Sequence, residues 1–432
     1  MCAAPAGAQA PRDSVVVIAE AGVGGDYTNQ IFYEQTFDST AITGRLTVSD
    51  PVSRALGLLY ARIAGAQGRL SFDAANDLGA GPTLLRDALR GAARYALGGG
   101  WRAEATGEFD VRRDDTFELR REDRRAAGGA NLRWVGPGFA TSARVFGRIE
   151  GLRSAEGTLA LFPDYDFRQV GFEVDRFGIA GQGSLTYAYG ERAFPDTAAR
   201  DYREHALIGD GRVRLTDALR LEGRGDGVRR LAWSDSAVGD RFWNGDGELA
   251  LVAAPDERFE FGPLARLRVL DYDEPTPTFF NVTLYRYGVF ARWLPDFARR
   301  YELRPEIEFL RTPAYGGLPK GTSVADLRAV ASEEYDQWSL AGEAESMGAT
   351  AWFFGTVAGG ARQYSDGAAD ARNLSAHSDF WFLEASGFGE RRLSSRLRVR
   401  ASADARIEFH SVEADDLTSL FFALELRTPL GK

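Results

Sequence analysis

The sequence predicts an all-β fold, a single-chain antiparallel transmembrane β-barrel of about 20 strands, with a range of roughly 18–22. Three observations favour it. Segments in which apolar and polar residues alternate recur along nearly the whole chain. No apolar run is long enough for a helix to span a bilayer. Short and long connections between the segments follow each other in regular alternation.

The alternation is clearest between Ser395 and His410. One set of alternate positions carries Leu397, Val399, Ala401, Ala403, Ala405, Ile407 and Phe409, and the other carries Arg396, Arg398, Arg400, Ser402, Asp404, Arg406, Glu408 and His410. Successive side chains of a strand point to opposite faces, so one face is apolar and the other charged. A soluble sandwich strand could show the same pattern. Its recurrence without any spanning helix favours a closed barrel with lipid outside and water inside.

The connections support this fold because their lengths are sorted. Short ones, such as Gly136-Pro137-Gly138, carry the Gly, Pro or Asp that tight turns require. Longer polar stretches, of which Thr312 to Ser332 is the longest, lie between them. Tight turns at one rim and longer loops at the other are typical of membrane barrels. We read Arg54 to Ala74 as one long strand, because this keeps turns and loops in phase.

Composition excludes several classes of protein. The formal charge of -10 over 432 residues argues against a nucleic-acid partner, which a basic surface would bind. Cys2 is the only cysteine, so neither an intrachain disulfide nor a cysteine metal cage can form. The mean hydropathy of -0.28 is too polar for a helical membrane protein. A barrel tolerates it because only alternate residues meet lipid.

The small residues of the first ten positions, which precede Pro11, indicate the tail of a secretory signal peptide. A disordered N-terminus is the alternative. We therefore divide the chain into residues 1–12, a residual signal-peptide tail or disordered segment, and residues 13–432, the barrel.

The strands, the sorted connections and the final amphipathic segment Leu420 to Leu426 resemble a porin-like outer-membrane β-barrel of Gram-negative bacteria. The chain departs from that pattern by continuing to Lys432 past the aromatic residue on which such barrels often end. The resemblance is to an architecture and names no functional family. It implies location in the outer membrane, contact with outer-membrane lipids and lipopolysaccharide, and recognition by the barrel-assembly machinery. It leaves the oligomeric state open.

If the apolar faces meet lipid, the opposite faces line the lumen. The predicted basic lining is Arg86, Arg90, Arg94, Arg102, Arg144, Arg148, Arg220, Arg224, Arg396, Arg398, Arg400 and Arg406; the predicted acidic lining is Glu302, Glu306, Glu308, Glu343 and Glu345. In a closed ring, the Arg86–Arg102 wall and the Glu302–Glu345 wall would lie roughly opposite each other. We expect such walls to set up a field across the pore and the arginine rows to attract anions. The alternative is that these charges pair and simply keep a wide barrel hydrated.

The longest connection is a candidate constriction loop with Asp326 and Arg328. Ser323, followed three residues later by Asp326, resembles a helix start, so one or two helical turns are expected here. In porins a long loop commonly folds inward and narrows the channel. An outward loop among lipopolysaccharide is the alternative.

Enzyme chemistry finds little support in the sequence, and we predict neither a cofactor nor a metal site. His410 lies close to Glu408 on an inward row and would suit a hydrolytic site in principle. No grouping of Ser, His and an acid has a diagnostic local spacing. We therefore interpret His410 as a polar residue of the lumen or rim.

The leading functional hypothesis is a passive outer-membrane channel for small polar solutes, with a leaning toward anions. An export conduit for an acidic polysaccharide, guided by inward arginines, is the second. A structural barrel with a closed lumen is the third.

Overall fold

The structure, a computed structural model, describes residues 14–35, 42–116, 121–155, 163–196, 198–233, 241–313, 316–365 and 378–430. The predicted segment 1–12 lies outside these residues. Among the described residues, no helix combines the length and the apolar character needed to cross a membrane.

The fold consists almost entirely of long strands. They are β1 (Ser14–Gln35), β2 (Ile42–Gln67), β3 (Leu70–Ala80), β4 (Leu84–Gly98), β5 (Trp101–Asp114), β6 (Arg121–Val135), β7 (Thr141–Ser154), β8 (Tyr165–Phe177), β9 (Gly181–Ala193), β10 (Tyr202–Arg214), β11 (Leu219–Ala232), β12 (Phe242–Asp256), β13 (Phe259–Tyr272), β14 (Val282–Asp296), β15 (Arg299–Arg311), β16 (Tyr335–Met347), β17 (Ala351–Tyr364), β18 (Phe380–Ser394), β19 (Leu397–His410) and β20 (Leu417–Pro429). The one α-helix of the described residues is α1 (Val324–Ala331), between β15 and β16.

The strands form one closed antiparallel barrel. Each strand pairs with its neighbours in sequence, and β1 also pairs with β20, from Glu20 opposite Pro429 to Thr28 opposite Phe421. The sheet has 20 strands, so the predicted architecture and strand number are confirmed. Closure pairs the backbone groups that an open edge would leave free, and a membrane-spanning sheet requires this.

Ion pairs on the lumenal face tie the seam between the first and last strands. Arg427 of β20 reaches across β1 and β2 to Asp77 of β3, at 3.2 Å, and Arg398 of β19 bonds Glu20 of β1 at 2.8 Å. Gly22 of β1 lies between these two ion pairs. A Cβ atom there would stand 2.1 Å from the Leu426 carbonyl oxygen, so only glycine allows β1 this close to β20.

The connections are sorted as predicted. Tight turns lie at one end of the barrel, which we call the turn rim: residues 68–69, 99–100, 136–140, 178–180, 215–218, 257–258, 297–298, 348–350 and 395–396. The other connections lie at the opposite end, the loop rim. Among the connections there that the structure describes in full, residues 81–83, between β3 and β4, are the shortest.

The prediction of one strand from Arg54 to Ala74 is wrong. β2 ends at Gln67, the chain turns at Gly68 and Arg69, and β3 begins at Leu70. Gly68 has a φ of 58°, the left-handed conformation that glycine adopts at little cost. The dipeptide Gly-Arg is a weak turn signal compared with Asn-Gly or Asp-Gly, and alternating residues flank it without a break.

The outer face is apolar, as expected for contact with lipid. Val145, Ile149 and Val357, all more than half exposed, point away from the lumen. Aromatic residues concentrate on this face toward both rims. Trp293 stacks on Tyr301 near the turn rim, with ring centroids 5.3 Å apart, and Trp338 meets Trp381 toward the loop rim at 4.8 Å. Two such belts mark the interfaces of a membrane with water.

Candidate functional site: the charged lumen

The lumenal face presents ionised side chains on strands all around the ring. Arg86, Arg90 and Arg94 lie on β4, Arg102 on β5, Arg144 and Arg148 on β7, Arg220 and Arg224 on β11, Glu302, Glu306 and Glu308 on β15, Glu343 and Glu345 on β16, and Arg398, Arg400 and Arg406 on β19. On these strands the exposed apolar residues occupy the alternate, outward positions, apart from Met347 at the turn-rim end of β16. Arg396 is the exception: it lies in the turn at residues 395–396 and not on the inward face of a strand.

The wall that was predicted to be basic, on β4 and β5, carries acids as well. Arg90 on β4 bonds Glu108 on β5 at 2.9 Å, and Arg94 bonds Glu104 at 2.7 Å. Each pair joins residues that lie directly opposite in the antiparallel register. Opposite charges at such positions attract and stabilise the strand pair. Among the described residues, Arg102 has no carboxylate within ion-pair distance.

The wall that was predicted to be acidic, on β15 and β16, also carries arginines. The Glu302 side chain is only 2% exposed, and its carboxylate accepts from Arg292 at 2.9 Å, from Arg300 at 2.8 Å and from Arg304. Glu308 pairs with Arg286 and accepts from the Tyr335 hydroxyl at 2.7 Å. Glu343 lies 3.2 Å from Arg300.

The expectation of two single-sign walls is therefore wrong. The β4–β5 wall and the β15–β16 wall do lie on different sides of the ring, but each contains both signs. The physical reason is the register. Like charges that face each other across strands repel, and a sequence that places Arg opposite Glu removes this repulsion. The alternative, in which lumenal charges pair, describes these walls.

A continuous ion-pair network covers the lumenal face from β11 to β16. Glu260 on β13 bonds both Arg220 and Arg292, at 2.9 and 2.6 Å. Arg292 also forms an ion pair with Glu302 on β15. Arg292 also lies over the ring of Phe290, at 5.2 Å. Val252, Leu264 and Phe290 pack together, so one part of the lumenal wall has a small apolar core.

Sequence reasoning missed a series of arginine–aromatic stacks toward the loop rim. The guanidinium of Arg230 lies 3.8 Å from the ring centre of Tyr202 and 4.8 Å from that of Phe242. Arg362 stands in the same way between Tyr335, at 3.9 Å, and Phe380, at 5.4 Å. Arg230 is fully buried. The available signal was an aromatic residue at the loop-rim end of an inward row, opposite an arginine on the next strand.

The candidate constriction loop contains the helix that its sequence predicts. α1 follows Ser323, whose Oγ accepts from the Asp326 backbone N–H at 3.1 Å. Ser323 also donates to the Asp326 carboxylate at 2.7 Å, so Asp326 serves the helix cap. Val330 is fully buried. The side chain of Arg328 lies outside the described residues, and entry of this loop into the lumen stays a prediction.

A Ser, a His and acids meet near the loop rim, although no local spacing marks them. Ser378 Oγ lies 2.8 Å from His410 Nδ1, and His410 Nε2 lies 3.1 Å from Glu408. Ser378 also donates to Asp415 at 2.8 Å. A nucleophile must be reachable, but Ser378 is only 2% exposed and its proton is directed at a carboxylate. This arrangement joins the segment before β18 to the connection 411–416, and we interpret it as a structural link.

Comparisons with known proteins show the fold of the chain. No protein-family model and no curated protein sequence matches the chain. Solved structures do match. The siderophore receptor PirA from Pseudomonas aeruginosa has 9% identity and a TM-score of 0.53, covering 96% of this chain and 80% of that one.

Two further structures agree with it. A mutant form of the ferric enterobactin receptor PfeA from Pseudomonas aeruginosa has 9% identity and a TM-score of 0.55, covering 95% of this chain and 80% of the other. The alcaligin outer membrane receptor FauA from Bordetella pertussis has 10% identity and a TM-score of 0.53, covering 96% and 76%. The predicted outer-membrane barrel architecture is confirmed. Identities of 9–10% show a shared fold, and the apolar exterior of this chain agrees with a barrel that spans a membrane.

Proposed function

We propose that this chain is an outer-membrane transport barrel that passes polar solutes along its charged lumen by passive diffusion. The observation that carries the proposal is the sidedness of the strands. Their outer faces are apolar, and their inner faces carry ionised residues whose side chains are still partly exposed after pairing. The side chains of Arg90 and Arg224 are 68% and 65% exposed. Such groups offer hydrogen bonds to polar solutes, whereas an apolar solute would have to displace their water.

The leaning toward anions rests on the arginines that lack a partner. Arg86 and Arg102 form no ion pair within the described part of the chain, while Arg90 and Arg94 each have a glutamate. A paired arginine contributes little net field, and an unpaired one attracts counter-ions. Selectivity is therefore expected to depend on Arg86 and Arg102 more than on the rest of the row.

Planar-bilayer recording of the purified barrel across a KCl gradient tests the proposal. We expect a steady ohmic conductance and a reversal potential on the anion-selective side. Arg86→Glu combined with Arg102→Glu should shift that potential toward cation selectivity. Arg113→Glu is the matched control, because Arg113 lies on β5 but on its outward face, where it pairs with Asp115. A shift of equal size in the control would exclude a lumenal origin, and complete absence of conductance would overturn the diffusion proposal.

Receptor-type uptake is the second candidate, and the structural comparisons favour it. The neighbours are named as a siderophore receptor, a ferric enterobactin receptor and an alcaligin receptor, and the likeness spans at least 95% of this chain in each. A barrel of this kind would be silent in bilayers and would bind a ferric siderophore. Titration with ferric enterobactin, followed by intrinsic fluorescence, separates the two candidates. A silent barrel that also binds no solute would instead favour the closed structural barrel.

A further inference from the structure

A recess of about 430 Å³ lies in the lumenal wall between β4 and β7. Its floor consists of the small residues Thr106, Ala127 and Gly129. Thr106 lies directly opposite Gly129. A Cβ atom on Gly129 would come within 2.9 Å of Thr106 Oγ1, so a side chain at this position would force the Thr106 hydroxyl to move.

The margin of the recess combines hydrogen-bonding groups with one aromatic ring. Glu104 accepts from Asn131 at 3.1 Å and from Arg94, and it keeps lone pairs free for a further donor. Asn131 lies opposite Phe146, whose ring is half-buried and supports the guanidinium of Arg144 at 5.1 Å. Donors, acceptors and one apolar surface thus converge on a single cavity, as in many small-molecule sites.

Arg144 lines the recess, and a row of arginines continues from it toward the first residues of β5, at the turn rim. Arg102 lies opposite Arg133, and Arg133 lies opposite Arg144, on three neighbouring strands. Arg133 pairs with Asp175 at 3.2 Å and Arg144 pairs with Glu173. Arg102 has no acidic partner among the described residues. The Nε atoms of Arg133 and Arg144 also make no hydrogen bond. Like charges placed directly opposite each other repel, so an anion at this row would be stabilising.

We propose that the recess binds one acidic sugar residue, a hexuronate, during its passage through the lumen. Its carboxylate lies at the arginine row, where Arg102 supplies the unpaired charge. Its hydroxyls donate to Glu104 and accept from Asn131. The apolar face of the sugar ring packs on Phe146. This inference rests on the proposed transport function, for which it names a substrate class.

The chemistry of the cavity separates this ligand from two simpler ones. A neutral sugar would leave Arg102 without a partner and would forgo a charge-assisted hydrogen bond, which is about twice as strong as a neutral one. An inorganic anion would satisfy the row but leave the recess, Glu104 and Phe146 without contacts. A carboxylate joined to a hydroxylated ring satisfies both parts.

Calorimetric titration of the detergent-purified barrel with sodium glucuronate tests the site. Glucuronate should bind at least about tenfold more tightly than glucose or sulfate, since either competitor loses one set of contacts. Arg102→Gln and Asn131→Leu should each weaken glucuronate binding by about tenfold. Arg102→Lys should fall between wild type and Arg102→Gln, because lysine keeps the charge but not the paired donors. Heat-modifiable migration in gels verifies that each variant is folded.

Arg392→Gln is the matched control, since Arg392 is exposed on the lumenal face of β18 at the turn rim and has no ion pair among the described residues. It removes the same charge far from the recess and should leave glucuronate affinity unchanged. Equal binding of glucuronate and glucose, or of glucuronate and sulfate, would overturn the inference. A barrel that conducts but does not bind glucuronate overturns this site alone. A barrel that binds glucuronate without conducting overturns the proposed diffusion and keeps the site.

Discussion

At the scale of single residues, Glu302 is a buried charge on the lumenal wall. One carboxylate faces Arg292, Arg300 and Arg304, and its side chain is almost completely covered. A buried charge is tolerated only when its partners compensate for the water it has lost. The acid is therefore a structural element of the wall, and removing its charge leaves several guanidiniums facing each other.

Glu302→Gln should lower the free energy of unfolding by about 3 kcal/mol, because breaking a buried pair leaves its partner charges uncompensated. Urea unfolding in lipid vesicles, followed by tryptophan fluorescence, measures this. Glu384→Gln is the control: Glu384 pairs with Arg406 at 3.4 Å but is 44% exposed, and its loss should cost less than about 1 kcal/mol. Equal losses in the two variants would contradict the assigned role.

Residue pattern alone predicts which side chains of one strand share a face, because the period of a strand is fixed by backbone geometry. It did not predict which charged residues form ion pairs with each other. That Arg90 meets Glu108 depends on the register of β4 against β5, and register follows from turns whose exact length the sequence leaves open. The unpaired state of Arg102 was hidden for the same reason.

At the scale of elements, the link from Ser378 to His410 fastens two connections at the loop rim to the barrel wall. His410 belongs to β19, Ser378 precedes β18, and Asp415 lies in the connection 411–416. Hydrogen bonds of 2.8 Å join all of them through the Ser378 hydroxyl. The grouping was invisible in the sequence because Ser378 and His410 are separated by a whole hairpin.

Ser378→Ala should loosen this rim, and hydrogen exchange in residues 411–416 should accelerate about fivefold, which corresponds to the loss of roughly 1 kcal/mol of hydrogen bonding. Mass spectrometry of deuterated peptides measures the exchange. Ser386→Ala is the control, since Ser386 bonds Thr356 in the middle of the wall at 2.7 Å. Faster exchange of residues 411–416 in both variants would show that the effect is not local.

At the scale of the whole molecule, the sequence was sufficient for the closed topology, the sidedness and the number of strands to within two. These features follow from a period that is repeated in every strand, so one misread turn at Gly68 did not disturb them. The electrostatics of the lumen were not predictable in the same way. They depend on pairs that cross between strands, as between Glu260 and Arg292, and on loops that return to the wall.

The sidedness itself can be measured with two adjacent positions in the middle of β17. Val357 is 56% exposed and faces outward, while Ala358 faces the lumen opposite Glu384. Val357→Arg should destabilise the folded barrel by about 2–4 kcal/mol, since it places a charge in hydrocarbon near the midplane. Ala358→Arg should cost less than about 1 kcal/mol, because the new charge meets water and a glutamate. Vesicle-based urea unfolding of both variants measures the difference, and a reversed order would refute the assignment of faces.

The seam between β1 and β20 brings the start and the finish of the barrel to neighbouring strands at the turn rim, where the Leu430 N–H donates to the Ala19 carbonyl oxygen at 2.7 Å. The ring consequently has no geometrically privileged first strand. A circular permutant that joins these ends and opens the chain at the turn 395–396 would keep every strand direction and every register. In this permutant, the ion pairs of Arg427 with Asp77 and of Arg398 with Glu20 would keep their geometry. The number of residues that separates the two partners along the chain would change.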